Sequence, residues 1–224
     1  MASWRNIKQL STGFVGISLT SSACALLFAV LHDGELLPVI GRMSLPQVTI
    51  FAAAIGYPLL IVVQSRLMNM ETLRTFRRAD AIALVGLGAI LAVPPIIIDI
   101  AIPFPRDINV LPPKSILFYP AIALVAEVVL HLVPLALLAV VITRRKVSAW
   151  MFVPVVLVEP ALQAFSSYET GLQAWLVFGN VSLISAAQIW VFMRYGFGAM
   201  FGLRLAFYLF WHVMWGFLRH HLLF

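Results

Sequence analysis

Charge is scarce in this chain. Asp, Glu, Lys and Arg make up 11% of its 224 residues, against about 25% in a soluble domain, so a water-facing globular surface is excluded. Cysteine is nearly absent. Cys24 stands alone, which rules out an internal disulfide and leaves the redox compartment open. Alternating strand-type patterning is missing, which argues against a membrane barrel. Lysine is confined to Lys8, Lys114 and Lys146, all in terminal or loop regions, so a retinal Schiff base has no intramembrane lysine to form on. No HExxH, GxSxG or Walker pattern occurs, and the chemistry those motifs carry is excluded with them. No span carries an arginine ladder of the voltage-sensor kind, and no internal repeat is evident.

What is present is apolar length. Hydrophobic residues form 62% of the chain and run continuously, which predicts an all-α, polytopic transmembrane helix bundle. About seven spans are expected, over 13–31, 47–67, 81–103, 115–142, 150–167, 172–193 and 198–218. Each is near the ~20 residues needed to cross a bilayer, and the fifth is the shortest. The whole of 1–224 reads as one membrane domain. Arg5 and Lys8 precede the first run, and Ala23-Cys24-Ala25 resembles a small-residue cleavage site. The run continues through CALLFAVL, too long for a signal core, so an uncleaved first helix is expected. Ser21, Ser22 and Ala23 lack the leucine of a lipoprotein signal.

The basic residues set an orientation. With a cytoplasmic N-terminus, ten lie inside: Arg5, Lys8, Arg66, Arg74, Arg77, Arg78, Arg144, Arg145, Lys146 and Arg194. Four lie outside, namely Arg42, Arg106, Lys114 and Arg219, and Arg204 falls within the last span. That asymmetry predicts an N-in, C-out topology. The net charge of +6 then reflects insertion and anionic lipid rather than nucleic acid. ETLRTFRR and TRRK are expected as solvated cytoplasmic loops, with docking to a partner as the alternative.

Against this background a few polar residues stand out. A charge at mid-bilayer costs about 2.5–3.5 kcal/mol even on the lenient insertion scale. Glu127 and His131 lie four apart in ILFYPAIALVAEVVLHLVPLALLAVVI, so both project from one helix face. Glu127 is a candidate general base or metal ligand, and His131 could orient it, ligate a metal or relay a proton. The alternative is a polar pair that satisfies itself in the bundle. Glu159 in WMFVPVVLVEPALQAF has no cation nearby in sequence. His212 shares a face with Tyr208 and Arg204, a polar seam along the last span, flanked by the packing or interfacial Trp211 and Trp215. Arg204 either snorkels toward the inner interface or neutralises Glu159 or Glu127.

Asp99, near the outer end of the third span, is expected at the interface, and His220 and His221 at the tail read as interfacial or solvated. Asn180 and Gln188 read as interhelical hydrogen-bonding residues. Gly198 and Gly202 make one Gly-x-x-x-Gly, a sign of close helix contact. Pro134 lies three residues after His131 and Pro160 directly after Glu159, so the fourth and fifth spans should be irregular near their polar residues.

These residues also resemble a known family. FMRYGFGAMFGLRLAFYLFWHVMWGFL is similar to the last motif of the CPBP family, the CAAX-protease and bacteriocin-processing intramembrane peptidases. His212 matches the histidine of its His-x-x-x-Asn, and Gly216 stands where Asn is usual. PAIALVAEVVLHLVPLAL resembles the Glu-Glu-x-x-x-Arg motif, with Glu127 at the second Glu, Ala126 at the first and His131 at the Arg. In MFVPVVLVEPALQAF, Val155 falls at the Phe and Glu159 at the His of Phe-x-x-x-His. The resemblance covers roughly 113–218 and makes 1–112 a set of added N-terminal helices.

The resemblance implies that Glu127 is the base that activates water, and that His212 is an oxyanion donor or a metal ligand. Losing an oxyanion donor at Gly216 would cost about 10²–10³ in rate. Glu127, His131, Glu159 and His212 together would form a catalytic cluster of two carboxylates and two imidazoles. Such a set suits a divalent metal such as Zn, or Fe or Mn. Four functions follow as expectations: an intramembrane endopeptidase, or a non-proteolytic relative serving as a binding, scaffolding or accessory subunit. The others are a haem protein using His131 and His212 as axial ligands, and a small proton-coupled transporter. The expected partners are the lipid bilayer and a membrane peptide or larger membrane complex, without nucleic acid.

Overall fold

Long apolar runs interrupted by proline become long helices with local irregularities. The computed structural model describes residues 4–31, 43–68, 74–142, 148–167 and 171–224. Among the described residues every regular element is helical. The helices are α1 Trp4–Leu31, α2 Leu45–Arg66, α3 Arg78–Ala101, α4 Lys114–Val141, α5 Val153–Ser167, α6 Leu172–Tyr195 and α7 Phe197–Leu222. Six of them are long and apolar enough to cross a membrane, and the shorter apolar stretch Ala149–Ala164 supplies most of α5. The seven expected spans therefore correspond to seven helices. TRRK lies outside the described residues, as does Glu71–Leu73 of ETLRTFRR.

Hydrogen bonds between distant segments fix which helix ends lie together. The backbone N–H of Arg74, before α3, donates to the carbonyl of Arg194 at the end of α6 (3.0 Å). Tyr195 Oη donates to Asp80 at 3.0 Å. At the other end, Gln173 at the start of α6 donates to the carbonyl of Ile102 just past α3 (3.2 Å). Arg66 at the end of α2 donates to the carbonyl of Ala139 in α4 (3.4 Å). So α5 must run the length of the bundle to link α4 with α6. Its 15 residues give about 22 Å at the α-helical rise, short of the ~30 Å hydrocarbon core. The preceding 3₁₀ turn Ala149–Phe152 extends it.

α4 and α7 are the central helices. α4 packs against α1, α2, α5 and α7, and α7 against α1, α3, α4 and α6. Both contain a π turn, Glu127–Leu132 in α4 and Leu209–Trp215 in α7. The first has a cause in the sequence. Pro134 has no N–H, so the carbonyl of Leu130 loses its helical donor and the ladder widens around it. α6 and α7 are separated only by Gly196, whose φ of 87° lies in the left-handed region that glycine enters at little cost.

The expected Gly-x-x-x-Gly contact is elsewhere. A Cβ on Gly198 or Gly202 would meet only Ile17 at 3.8 Å or Leu84 at 3.7 Å, ordinary van der Waals contact. The close approach is at Gly88 of α3, where a Cβ would come within 2.6 Å of the Ala206 Cβ and 3.0 Å of its backbone. Gly88→Leu is therefore expected to destabilise the bundle by about 1–3 kcal/mol through overpacking. Gly86→Leu, where nothing lies within 4 Å, should be nearly silent. Thermal unfolding of the two purified variants checks this, and equal midpoints would refute the contact.

Asp99 also departs from expectation. It is 0% exposed, as is Arg219, and the two form an ion pair at 2.7 Å. A buried carboxylate is tolerated only with a partner. Here the partner lies 120 residues away in sequence, at the C-terminal end of α7.

Candidate functional site

The two irregular central helices carry the polar residues. Glu127 and His131 both lie in the π turn of α4, and His212 lies in that of α7. π turns recur at functional sites because they re-aim side chains within a helix. Glu159 comes from α5, where Pro160 leaves the carbonyl of Val156 without a helical donor.

Three of the four candidates converge, and Arg204 joins them. The Arg204 Nε donates to Glu127 Oε1 at 2.5 Å. Its Nη1 and Nη2 donate to Glu159 Oε1 and Oε2, each at 2.8 Å, a bidentate arrangement that suits the planar guanidinium. Nη2 also donates to Gln188 Oε1 at 2.8 Å, and Nη1 reaches Tyr208 Oη at 3.4 Å. Gln188 Nε2 donates to Glu127 Oε1 at 2.8 Å, and Gln163 Nε2 to Glu159 Oε1 at 2.9 Å. His131 sits between the acids. Its Nδ1 is 3.1 Å from Glu127 Oε2 and its Nε2 is 3.4 Å from Glu159 Oε2. Nε2 also pairs with Ser185 Oγ at 2.9 Å. The Glu127 Oε2 contact is an ion-pair distance without hydrogen-bond alignment.

This network is buried. Glu127 and His131 are 0% exposed and Glu159 is 1% exposed. With His131 neutral, two carboxylates face one guanidinium and the cluster carries one negative charge. A proton on His131 brings it to zero. Of the two readings open for Arg204, the structure selects neutralisation, and of both acids at once.

His212 stands apart from this network. Its Nδ1 pairs with Asn109 Oδ1 at 2.7 Å. Its ring stacks on Tyr119, with centroids 5.1 Å apart, and meets Tyr208 edge-on at 5.0 Å. Asn109 comes from the loop after α3 and packs against Gly216, where a Cβ would lie 2.9 Å from the Asn109 Cβ. Any side chain at 216 would push Asn109 off His212.

The four residues therefore do not form a single ligand sphere. The Arg204 guanidinium lies where the carboxylates converge, and a cation is already in the place a metal would take. Among the described residues, no group of three or more His, Cys, Asp and Glu side chains is arranged to hold a metal ion. The donor set expected for Zn does not fit this geometry. Axial haem ligation needs a free ring nitrogen on His131, and both of its nitrogens face polar partners.

A cavity of about 260 Å³ adjoins the network. α3 contributes Pro95 and Ile98, and the following loop Phe104 and Ile108. α5 contributes Glu159 and Gln163, and α6 contributes Val177, Asn180, Val181 and Ile184. α7 completes the wall with Arg204, Phe207, Tyr208, Trp211 and His212. The cavity thus brings Glu159 and His212 to one space, while Glu127 and His131 are not among its lining residues. Gln163 is exposed and His212 and Asn180 are half-buried, so its rim is open.

Several of these residues had no clear signal in the sequence. Gln163 follows Glu159 by four, a spacing that could have flagged it. Ser185 and Gln188 share a face of α6 at three apart, and Gln188 does make the interhelical bonds expected of it. Asn109 lies in a loop and gave no periodic clue.

The apolar helices and the buried charge network between them define a multi-pass integral membrane protein of the helical-bundle class. No family model, curated protein or solved structure matches the chain.

Proposed function

We propose that this is a multi-pass protein of a bacterial inner membrane, a non-proteolytic relative of the CPBP peptidases that binds a small ligand in the cavity beside Glu159 and His212. The observation that carries the reading is the engagement of both acids by Arg204. A carboxylate held by a guanidinium is a poor base, because taking up a proton would break a charge-assisted pair in a buried site. Glu127, the only acid matching the family's base, does not border the cavity. The volume of about 260 Å³ is just below the usual range of ligand pockets, about 300–1,000 Å³, and suits a small molecule rather than an extended peptide. The fold then serves as a binding or accessory module.

One observation favours hydrolysis instead. His212 and Glu159 share the cavity with the Tyr208 hydroxyl, a set able to move protons. Two measurements on nanodisc-embedded protein separate the readings. Native mass spectrometry should show a small bound molecule in the parent and in Glu127→Gln, displaced in Val181→Trp, which fills the cavity. Incubation with membrane peptides in ¹⁸O-water should leave their carboxylates unlabelled. Label uptake that disappears in Glu127→Gln would establish a peptidase and overturn the binding reading.

A further inference from the structure

Away from the cavity, the joined ends of α3 and α6 hold a surplus of positive charge. Arg74 precedes α3, Arg77 caps it and Arg78 opens it, and all three are exposed. Arg194 lies in the last turn of α6. Two bonds fix these segments to each other: the Arg74 N–H donates to the Arg194 carbonyl at 3.0 Å, and Tyr195 Oη donates to Asp80 Oδ1 at 3.0 Å. The Phe76 and Tyr195 rings meet edge to face beside them, with centroids 5.6 Å apart. Four arginines against Asp80 leave a local charge of +3 among the described residues of the two segments. No described acid lies at ion-pair distance from any of the four. Asp80 is already engaged at both oxygens, because Oδ2 accepts from the Arg77 N–H at 2.9 Å and Oδ1 from Tyr195.

Each arginine-bearing end tops an exposed apolar stripe. On α3, Ile82 and Val85 follow Arg78 by four and seven residues, so they share its face, and they are 67% and 46% exposed. On α6, Trp190 lies four residues before Arg194 and is 54% exposed. The Arg194 guanidinium stands over its ring, 5.2 Å from the centroid. Phospholipids have this layout in reverse, with acyl chains below and a phosphate at the interface.

We propose that the joined ends of α3 and α6 bind an anionic phospholipid. The lipid phosphate takes hydrogen bonds from the exposed guanidiniums, whose planar forks suit phosphate oxygens, and the acyl chains lie along the apolar stripes. The lipid carries a net negative charge. A choline or ethanolamine ammonium would meet the surplus arginines and find the one nearby carboxylate already engaged. The site is at the far end of α6 from Gln173 and stands or falls independently of the cavity.

Native mass spectrometry of the detergent-purified full chain, titrated with phosphatidylglycerol and with phosphatidylcholine of the same acyl chains, tests it. Phosphatidylglycerol should bind saturably and the tighter of the two. Arg78→Gln and Arg194→Gln should each weaken it about fivefold, the worth of one basic residue beside an anionic headgroup. Arg66→Gln removes a charge from the end of α2, where the arginine already donates to the Ala139 carbonyl, and should leave binding unchanged. Glycerol phosphate, a headgroup without chains, should not compete. The comparison of the two lipids on the unaltered protein decides the question even if a variant folds poorly. Equal binding of both lipids overturns the proposal. So does an effect of Arg66→Gln as large as that of Arg78→Gln, which would make the attraction diffuse. Displacement of the lipid by glycerol phosphate would assign the arginines to a soluble phosphate ester instead.

Discussion

Arg204→Met is expected to lower the stability of the bundle by about 3–5 kcal/mol, because it leaves two buried carboxylates facing each other without a cation. The effect should far exceed that of Glu127→Gln or Glu159→Gln. Either single change leaves one acid against one guanidinium and removes about 1–3 kcal/mol of hydrogen bonding. The ordering follows from charge count rather than from the number of contacts. Arg204 touches Glu127, Glu159, Gln188, Tyr208 and His131, but its charge matters most, since both acids it neutralises are buried. The triple variant Glu127→Gln/Glu159→Gln/Arg204→Met should therefore recover most of the loss, as replacing a whole buried ion cluster is often neutral. Reversible unfolding in mixed micelles measures all five proteins. If Arg204→Met is as stable as its parent, the network is hydrated and the binding reading loses its physical basis.

The same network shows how far the sequence could be read. Apolar length placed all seven helices, because the membrane imposes one period and one length on every span. The short fifth helix was visible for the same reason. Glu127 and His131 were legible as a pair because four-residue spacing is local, and Glu159 stood out through its cost. Interhelical partners were harder. Which residue faces which across a bundle depends on helix rotation, and the two π turns shift that rotation at Glu127–Leu132 and Leu209–Trp215. Arg204 was read with alternatives open because its own helix offered both a snorkelling route and an inward face. The metal expectation placed four ligands around an empty centre, whereas the chain supplies its own cation there. His212 was grouped with the acids, yet its partner is a loop asparagine 103 residues away. The position of Asp99 near the outer end of its span points to the interface, and only the distant Arg219 makes its burial possible.

That last pair leads to the second large effect. Arg219→Ala is expected to cost about 3–5 kcal/mol, since it strands a fully buried Asp99. Asp99 Oδ1 accepts from the Phe104 N–H at 2.8 Å and from Arg219 Nη2 at 2.9 Å. Its Oδ2 accepts from Arg219 Nε at 2.7 Å and Trp215 Nε1 at 2.6 Å. The remaining Arg219 donors reach the carbonyls of Phe104, Pro105 and Arg106 at 2.7, 3.0 and 3.3 Å. Arginine is needed because five donors in one plane satisfy a carboxylate and a turn of backbone together, which a lysine cannot do. Arg219→Lys should thus rescue only part of the loss. The loop held this way carries Asn109 to His212, so Arg219→Ala should also release the imidazole and change its tautomer, read by ¹⁵N shifts of His212. A double-mutant cycle with Asp99→Ala should give strong coupling, because removing both partners leaves no stranded charge. Additive losses, or an unchanged His212 signal in Arg219→Ala, would mean that the loop is held by other contacts. The C-terminal end of α7 would then be packing alone, with no hold on the cavity.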